Sequence, residues 1–366
     1  MLVEQILKDK VLVEQILKDK EIIMTKIKGD LCHQLLEEKT KPALSFDEKK
    51  DYTAWKKAIK EKFIELLGID QIRNNACTLK MQIEKEEEKK GYRQIRFVFE
   101  SEIGSYVPCY LCIPNTGKKK YPLAIVLQGH SSGFHNSIAE PKEGDDLDYA
   151  LGRGAFAVQA VRNGYAALAI EQRGMGERRP GAEHQAGAHM CEYEAHIALL
   201  LGRTILGERV WDISKAIDVI STFNEIDAEK IFITGNSGGG TAAYYAACYD
   251  ERIKIAAPSC AFCTYKDSIM NYYHCSCNFI PHAYEWFDMQ DLACLIAPRP
   301  LIINSGKEDR IFPLYGVKEA YKTVQKIYLK EGTDNCQLIV SPKAHYWCED
   351  IVWPAINEET DKLGWN

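Results

Sequence analysis

The sequence has no apolar run approaching the roughly 18 residues of a membrane-spanning helix, which excludes a helical span. It has no surplus of positive charge either: 46 lysines and arginines stand against 52 aspartates and glutamates, for a formal net charge of −6. Nucleic acid and anionic membranes are therefore not expected as partners. An even cysteine count is also missing. Thirteen cysteines cannot all pair, so a reduced, cytoplasmic setting is expected. The N-terminus alternates charges where a signal peptide needs an apolar stretch. What remains is a 366-residue chain, 46% hydrophobic and 27% charged, with the composition of a globular protein that buries a sizeable core.

The first twenty residues are a near-perfect tandem copy, "MLVEQILKDK" then "VLVEQILKDK". A ten-residue period turns a helix by about 1000°, which rotates the second apolar face some 80° from the first. That offset suits a surface-packed helix better than a coiled-coil seam, and a recent duplication is the competing reading. We expect residues 1–50 to form an N-terminal helical extension, which leaves open a homo-oligomer through this helix. From Asp51, "DYTAWKKAIKEKFIELLGI" places Tyr52, Trp55, Ile59, Phe63, Leu66 and Leu67 on one face and ends at Gly68, predicting a docked amphipathic helix. Next, "RQIRFVFES" and "YVPCYLCIP" read as antiparallel edge strands, and "EKEEEKK" (84–90) as a solvated hairpin tip.

Beyond Lys120 six short apolar runs alternate with helical stretches: 123–129, 165–171, 230–236, 253–259, 299–306 and 336–342. Each is apolar on both faces, as strands covered by helices on both sides must be. The fold class is α/β, a mostly parallel doubly wound sheet, in a catalytic domain over 51–366. Two stretches break the alternation, 174–207 and 260–297. Both follow the C-terminal ends of strands, where open α/β sheets hold their ligands, so they are candidate pocket walls. Tyr272, Tyr273 and Trp286 in the second are candidate substrate-binding aromatics.

Ser237 sits in "ITGNSGGGTAAYY", where a strand turns into an alanine-rich helix. Gly-x-Ser-x-Gly in that context lifts the hydroxyl above the sheet as a nucleophile. A phosphate-binding loop fails because no Gly-Lys-Ser/Thr follows. A serine needs a base, and the base an orienting acid. Asp309 in "NSGKEDRIFP" and His345 in "SPKAHYW" follow in the order Ser, Asp, His and fall on loops at the same sheet edge. Glu308 competes with Asp309, which stands further past its strand. The oxyanion donors are expected to be the backbone N–H groups of Gly238 and, from "LQGHSSG", of His130.

Two clusters invite a metal reading. "CAFC" (260–263) with "HCSC" (274–277) and His282 is one, and "EHQAGAHMCEYEAH" (183–196) is the other. Neither has the paired Cys-x-x-Cys spacing of a structural zinc site. Packing, with cysteine as a small hydrophobe, is preferred for both, and no metal is expected.

The run from "YLCIP" through "LQGH", "EQRGMGE", "LLGRTILGERVWD", "ITGNSGGG", "IAPRPLIINSGKEDRIFP" and "AHYW" resembles the acetyl xylan esterase-like α/β-hydrolases, relatives of dienelactone hydrolases and cephalosporin-C deacetylases. The resemblance covers roughly residues 50–366. It implies an eight-stranded hydrolase sheet, a Ser237–Asp309–His345 triad, an oxyanion loop at Gly129–His130, and no cofactor. It also implies a small-molecule ester substrate, with acetyl esters of carbohydrates among the candidates. Two readings compete. A prolyl-oligopeptidase-like peptidase shares Gly-x-Ser-x-Gly-Gly, but residues 1–120 cannot hold the propeller such enzymes usually add. A catalytically inactive hydrolase fold used for binding is the other.

Overall fold

The computed structural model describes residues 10–15, 18, 31–142, 144, 147, 154–181 and 190–365. The chain divides into two units, Met1–Lys41 and Pro42–Asn366. In the first unit residues 10–15 are helical, with Val11, Leu12 and Val13 exposed, and Leu31–Lys39 forms helix α1. Most of the tandem copy lies outside the described residues. The boundary falls before the expected residue 50, because the backbone N–H groups of Ala43 and Leu44 donate to the carbonyls of Glu285 and Trp286 and tie that segment into the second unit. Among the described residues no helix is long and apolar enough to cross a membrane.

The second unit opens with α2 (Tyr52–Leu67). Its N-cap Asp51 accepts a hydrogen bond from Ala54 N, and Gly68 ends it at φ 73°. Gly68 can take this left-handed conformation because it has no Cβ. Trp55, Ile59, Phe63 and Leu67 are buried, the face the spacing predicts. A short helix, α3 (Ile69–Arg73), follows.

Nine strands form one sheet: β1 (Met81–Lys89), β2 (Tyr92–Glu102), β3 (Ser105–Pro114), β4 (Tyr121–Leu127), β5 (Ala166–Ile170), β6 (Ile226–Asn236), β7 (Ile253–Ser259), β8 (Leu301–Gly306) and β9 (Cys336–Ser341). Their order is β1-β2-β3-β5-β4-β6-β7-β8-β9. β1, β2, β3 and β5 pair antiparallel in succession, and the strands from β5 through β4 to β9 are parallel. All six apolar runs read from the sequence are strands, although β9 is only half-buried, with Val340 exposed, and is not covered on both faces as expected. The ninth strand, one more than the resemblance implies, is largely the charged stretch read as a hairpin tip. β1 carries "MQIEKEEEK", and its charges pair across to β2, Glu84 with Arg96 at 2.7 Å and Glu86 with Arg93 at 3.2 Å. Charge on a lone edge strand discourages pairing with another chain. It also hides the strand from a search for apolar alternation.

Among the described residues the remaining α-helices of four or more residues are α4 (Phe156–Arg162), α5 (Met190–Leu200), α6 (Ile205–Ile220), α7 (Gly238–Tyr249), α8 (Ala283–Trp286), α9 (Leu314–Lys330) and α10 (Glu349–Lys362). Strand side chains alternate between two cores. On β4, Leu123, Ile125 and Leu127 join the core that includes residues of α2, α6, α7 and α9. Ala124 and Val126 join the core that includes residues of α4 and α10. This double burial explains the unbroken apolar runs. The strand order reverses at β4, between β5 and β6, and the crevice beyond the C-terminal ends at such a point is where open α/β sheets bind ligands.

Candidate active site

β6 delivers Ser237 to that crevice. Ser237 has φ 56° and ψ −126°, a conformation costing a non-glycine residue of order 1–3 kcal/mol. The turn is held by hydrogen bonds from Ser237 N to Ser259 O at 2.9 Å and from Thr241 N to Ser237 O at 2.8 Å. The glycines around it are steric requirements. A Cβ on Gly239 would lie 2.2 Å from Leu127 O, and one on Gly129 would lie 2.8 Å from Asn236 O. The helix after the serine and the loop after β4 thus approach the sheet more closely than any side chain permits.

Asp309 lies past β8, where its side chain is fully buried while Glu308 is exposed. That separates the two adjacent acids. Asp309 Oδ1 accepts from the backbone N–H groups of Ile311 at 2.8 Å and Phe312 at 3.1 Å. Its Oδ2 lies 2.8 Å from His345 Nδ1, and Phe312 stacks on the His345 ring with centroids 6.0 Å apart. With Nδ1 engaged, Nε2 is left for proton exchange. His345 and Ser237 line one pocket of about 260 Å³, together with Gln128, Gly129, His130 and Phe156. Sequence positions 237, 309 and 345 are brought together at one sheet edge.

The loop after β4 is clamped by a residue the sequence reading left without a role. Glu171 is fully buried at the end of β5. It accepts from Gln128 Nε2 at 3.1 Å, Phe134 N at 3.2 Å and Glu177 N at 3.2 Å. Burial pushes its carboxyl up to about 7, against the hydrogen bonds from Glu177 and Phe134. The signal available in the sequence was an acid closing a strand buried on both faces, where an unpaired charge is costly. Behind it lies a buried ionic cluster. Arg173 contacts Glu102 at 2.6 Å, Asp212 at 3.0 Å and Glu208 at 3.2 Å, and Arg178 contacts Asp212 at 2.7 Å. Burial opposes the Asp212 charge, but Arg173 and Arg178 outweigh it and hold that carboxyl below its ordinary value.

The substrate-binding aromatics are not brought to the pocket. Tyr272 and Tyr273 are exposed, and Tyr273 donates to Glu192 at 3.0 Å. Trp286 packs beneath Lys62, whose Nζ is 4.1 Å from the ring centroid. Residues of 174–207 and 260–297 are absent from the pocket lining among the described residues.

The cysteine and histidine clusters divide differently from their sequence grouping. Cys260 lies beside Asp309 and His345, and Cys263 faces Pro313 O at 3.8 Å. His274 is buried on Ser268, and burial pushes its pKa down to about 4. His282 pairs with Glu285 on the surface. Cys275 and Cys277 instead join Cys191 of the other cluster and His130 of the loop after β4, with one ligand atom from each residue within 4.8 Å of the others. Sequence spacing could not show this, because the four residues come from three separate segments.

A family model described as the Abhydrolase family matches residues 19–331. The chain belongs to the Abhydrolase family. The fold is that of this family, as the sequence resemblance implied. Among curated proteins the chain is similar to YtaP of Bacillus subtilis, a provisionally named hydrolase, at 27% identity over 243 residues covering 65% of this chain and 78% of YtaP. Among solved structures it is similar to a provisionally named acetyl xylan esterase of Bacteroides fragilis, with a TM-score of 0.73 at 19% identity covering 90% of this chain and 84% of the other. It is also similar to a glucuronoyl esterase of Solibacter usitatus, with a TM-score of 0.63 at 14% identity covering 89% and 97%. At these identities the structural likeness establishes the abhydrolase fold.

Proposed function

We propose that this abhydrolase is a serine carboxylic-ester hydrolase acting on small acyl esters of carbohydrates, acetyl esters foremost, through an acyl-enzyme. The observation that carries the reading is the strained Ser237 in one pocket with His345, whose Nδ1 is 2.8 Å from buried Asp309. Ser237 Oγ attacks the ester carbonyl while His345 Nε2 takes its proton, and Asp309 fixes the imidazole tautomer and stabilises the imidazolium. The tetrahedral oxyanion is received by the backbone N–H groups of Gly238 and His130. Collapse expels the alkoxide, which His345 protonates. Water activated by the same imidazole then releases the acid.

A pocket of about 260 Å³ falls just below the usual range of ligand sites, about 300 to 1,000 Å³. It therefore favours a short acyl group. Carbohydrate as the alcohol is supported by the name of the acetyl xylan esterase neighbour. The thirteen cysteines, all free, suit a reducing compartment, and we assign the protein to the cytoplasm.

The test is an acyl-length series of p-nitrophenyl esters beside acetylated xylo-oligosaccharides, run on the wild type and on Ser237→Ala. Activity is expected to be highest on acetyl and to fall with chain length. Ser237→Ala is expected to lose about 10⁵–10⁶-fold in kcat. A variant that keeps full activity would sink the mechanism, and a preference for long acyl chains would sink the substrate assignment.

A further inference from the structure

At His130 four side chains converge that the hydrolytic mechanism does not use. His130 Nε2 and the sulfurs of Cys191, Cys275 and Cys277 all lie within 4.8 Å of one another, and Cys277 Sγ is 3.3 Å from His130 Nε2. They come from the loop after β4, the first turn of α5 and the loop 275–277. Cys277 and Cys191 are buried at 1% and 6% exposure. A tetrahedral zinc ion with Zn–S bonds of about 2.3 Å sets its ligands about 3.8 Å apart, and the cluster is compact enough to match that spacing.

Charge points the same way. Arg209 is 1% exposed, and it directs Nη2 to Cys191 Sγ at 2.9 Å and to Arg173 O at 2.7 Å. A buried guanidinium stays charged and calls for negative charge beside it. Plain packing of neutral thiols would supply none. Three thiolates around a divalent zinc leave one net negative charge, which Arg209 balances while donating to a ligand sulfur, as outer partners of metal sites do.

We propose that His130, Cys191, Cys275 and Cys277 bind one zinc ion in a closed tetrahedral Cys3His site. Three soft sulfur donors and an imidazole select zinc over magnesium or calcium, and four protein ligands make the site structural. Binding requires deprotonated thiols and neutral imidazole, so the thiol protons still held are released to solvent. The ion would also steady the loop after β4. The His130 ring rests on Gly238, where a Cβ would meet His130 Cε1 at 3.0 Å, so one residue links the zinc ligand set to the proposed oxyanion donors. Zinc binding itself does not depend on the esterase reading.

The test is metal analysis of the full chain, prepared metal-free with a chelator and then reconstituted with zinc under reductant and desalted. About one zinc per chain is expected in the wild type, whereas Cys191→Ser and Cys275→Ser should retain less than about a tenth of that. Cys77→Ser, outside the cluster, should retain all of it. Because a ligand variant could fail to fold, cobalt is titrated into the metal-free wild type. Sulfur-to-cobalt charge-transfer bands with the intense visible bands of a tetrahedral site are expected. No zinc uptake by the reduced wild type, equal retention by the ligand variants, or cobalt spectra without thiolate bands would each overturn the proposal. So would a Cys191–Cys275 or Cys191–Cys277 disulfide in a protein that takes up no zinc.

Discussion

Two loop systems of opposite character flank Ser237. On one side Asp309 and His345 form a single short contact, backed by two backbone donors and the flat face of Phe312. On the other, the loops after β4 and β5 are held by a mesh of buried polar and charged groups, with Glu171 clamping one and Arg173, Arg178, Asp212 and Glu102 fixing the next. The first arrangement is spare and places the groups proposed to exchange protons. The second is dense and places backbone. Chemistry needs a few groups whose states can change during turnover, whereas a loop proposed to present N–H groups at fixed points needs many contacts that do not change.

The largest expected effect falls on the spare side. Asp309→Asn keeps the shape but removes the charge and the tautomer preference, and kcat should drop by about 10³–10⁴-fold with the unfolding midpoint little changed. Steady-state kinetics beside thermal unfolding checks this. A drop below tenfold would mean that Asp309 is not the orienting acid. On the dense side the larger cost should appear in stability. Asp212→Ala leaves Arg173 and Arg178 without their shared buried carboxylate and should destabilise by about 3–5 kcal/mol in urea unfolding. Full stability with lost activity would erase the distinction between the two sides.

The smallest expected effect concerns Glu171 and pH. Its carboxyl is raised in the folded state to about 7, so between about pH 4.5 and 7 the folded protein holds a proton that the unfolded chain has released. Its stabilising contribution is present at low pH and is lost as pH rises through that window. Glu171→Gln removes this slope, so the variant should gain on the wild type by about 2–3 kcal/mol between pH 5 and pH 8. Unfolding at both values measures the change, and a constant difference would show that Glu171 is charged throughout.

The comparison also explains what was legible in the sequence. Ser237, Asp309 and His345 follow strands whose apolar runs are continuous, so chain order and strand ends are enough to place them. α2 was legible for a similar reason, since Asp51 and Gly68 mark its ends. The dense side depends on partners distant in sequence. Arg173 follows β5, Glu102 ends β2 and Asp212 lies on α6, so they meet only through the tertiary fold, and no periodicity encodes that. β1 was missed because its residues are charged for its edge position. The cysteines were grouped by nearness in sequence, whereas the fold sorts Cys260 and Cys263 away from Cys275 and Cys277.

The order of the groups along the chain has a consequence in time. β9 is the last strand and His345 follows it. A folding intermediate with that end undocked would already present the serine, its helix and the loop after β4, yet it would lack the proposed base. On the proposed mechanism, turnover would report completion of the fold as well as integrity of the site. With His345 as the proposed base, the enzyme would stay inert while it is half made.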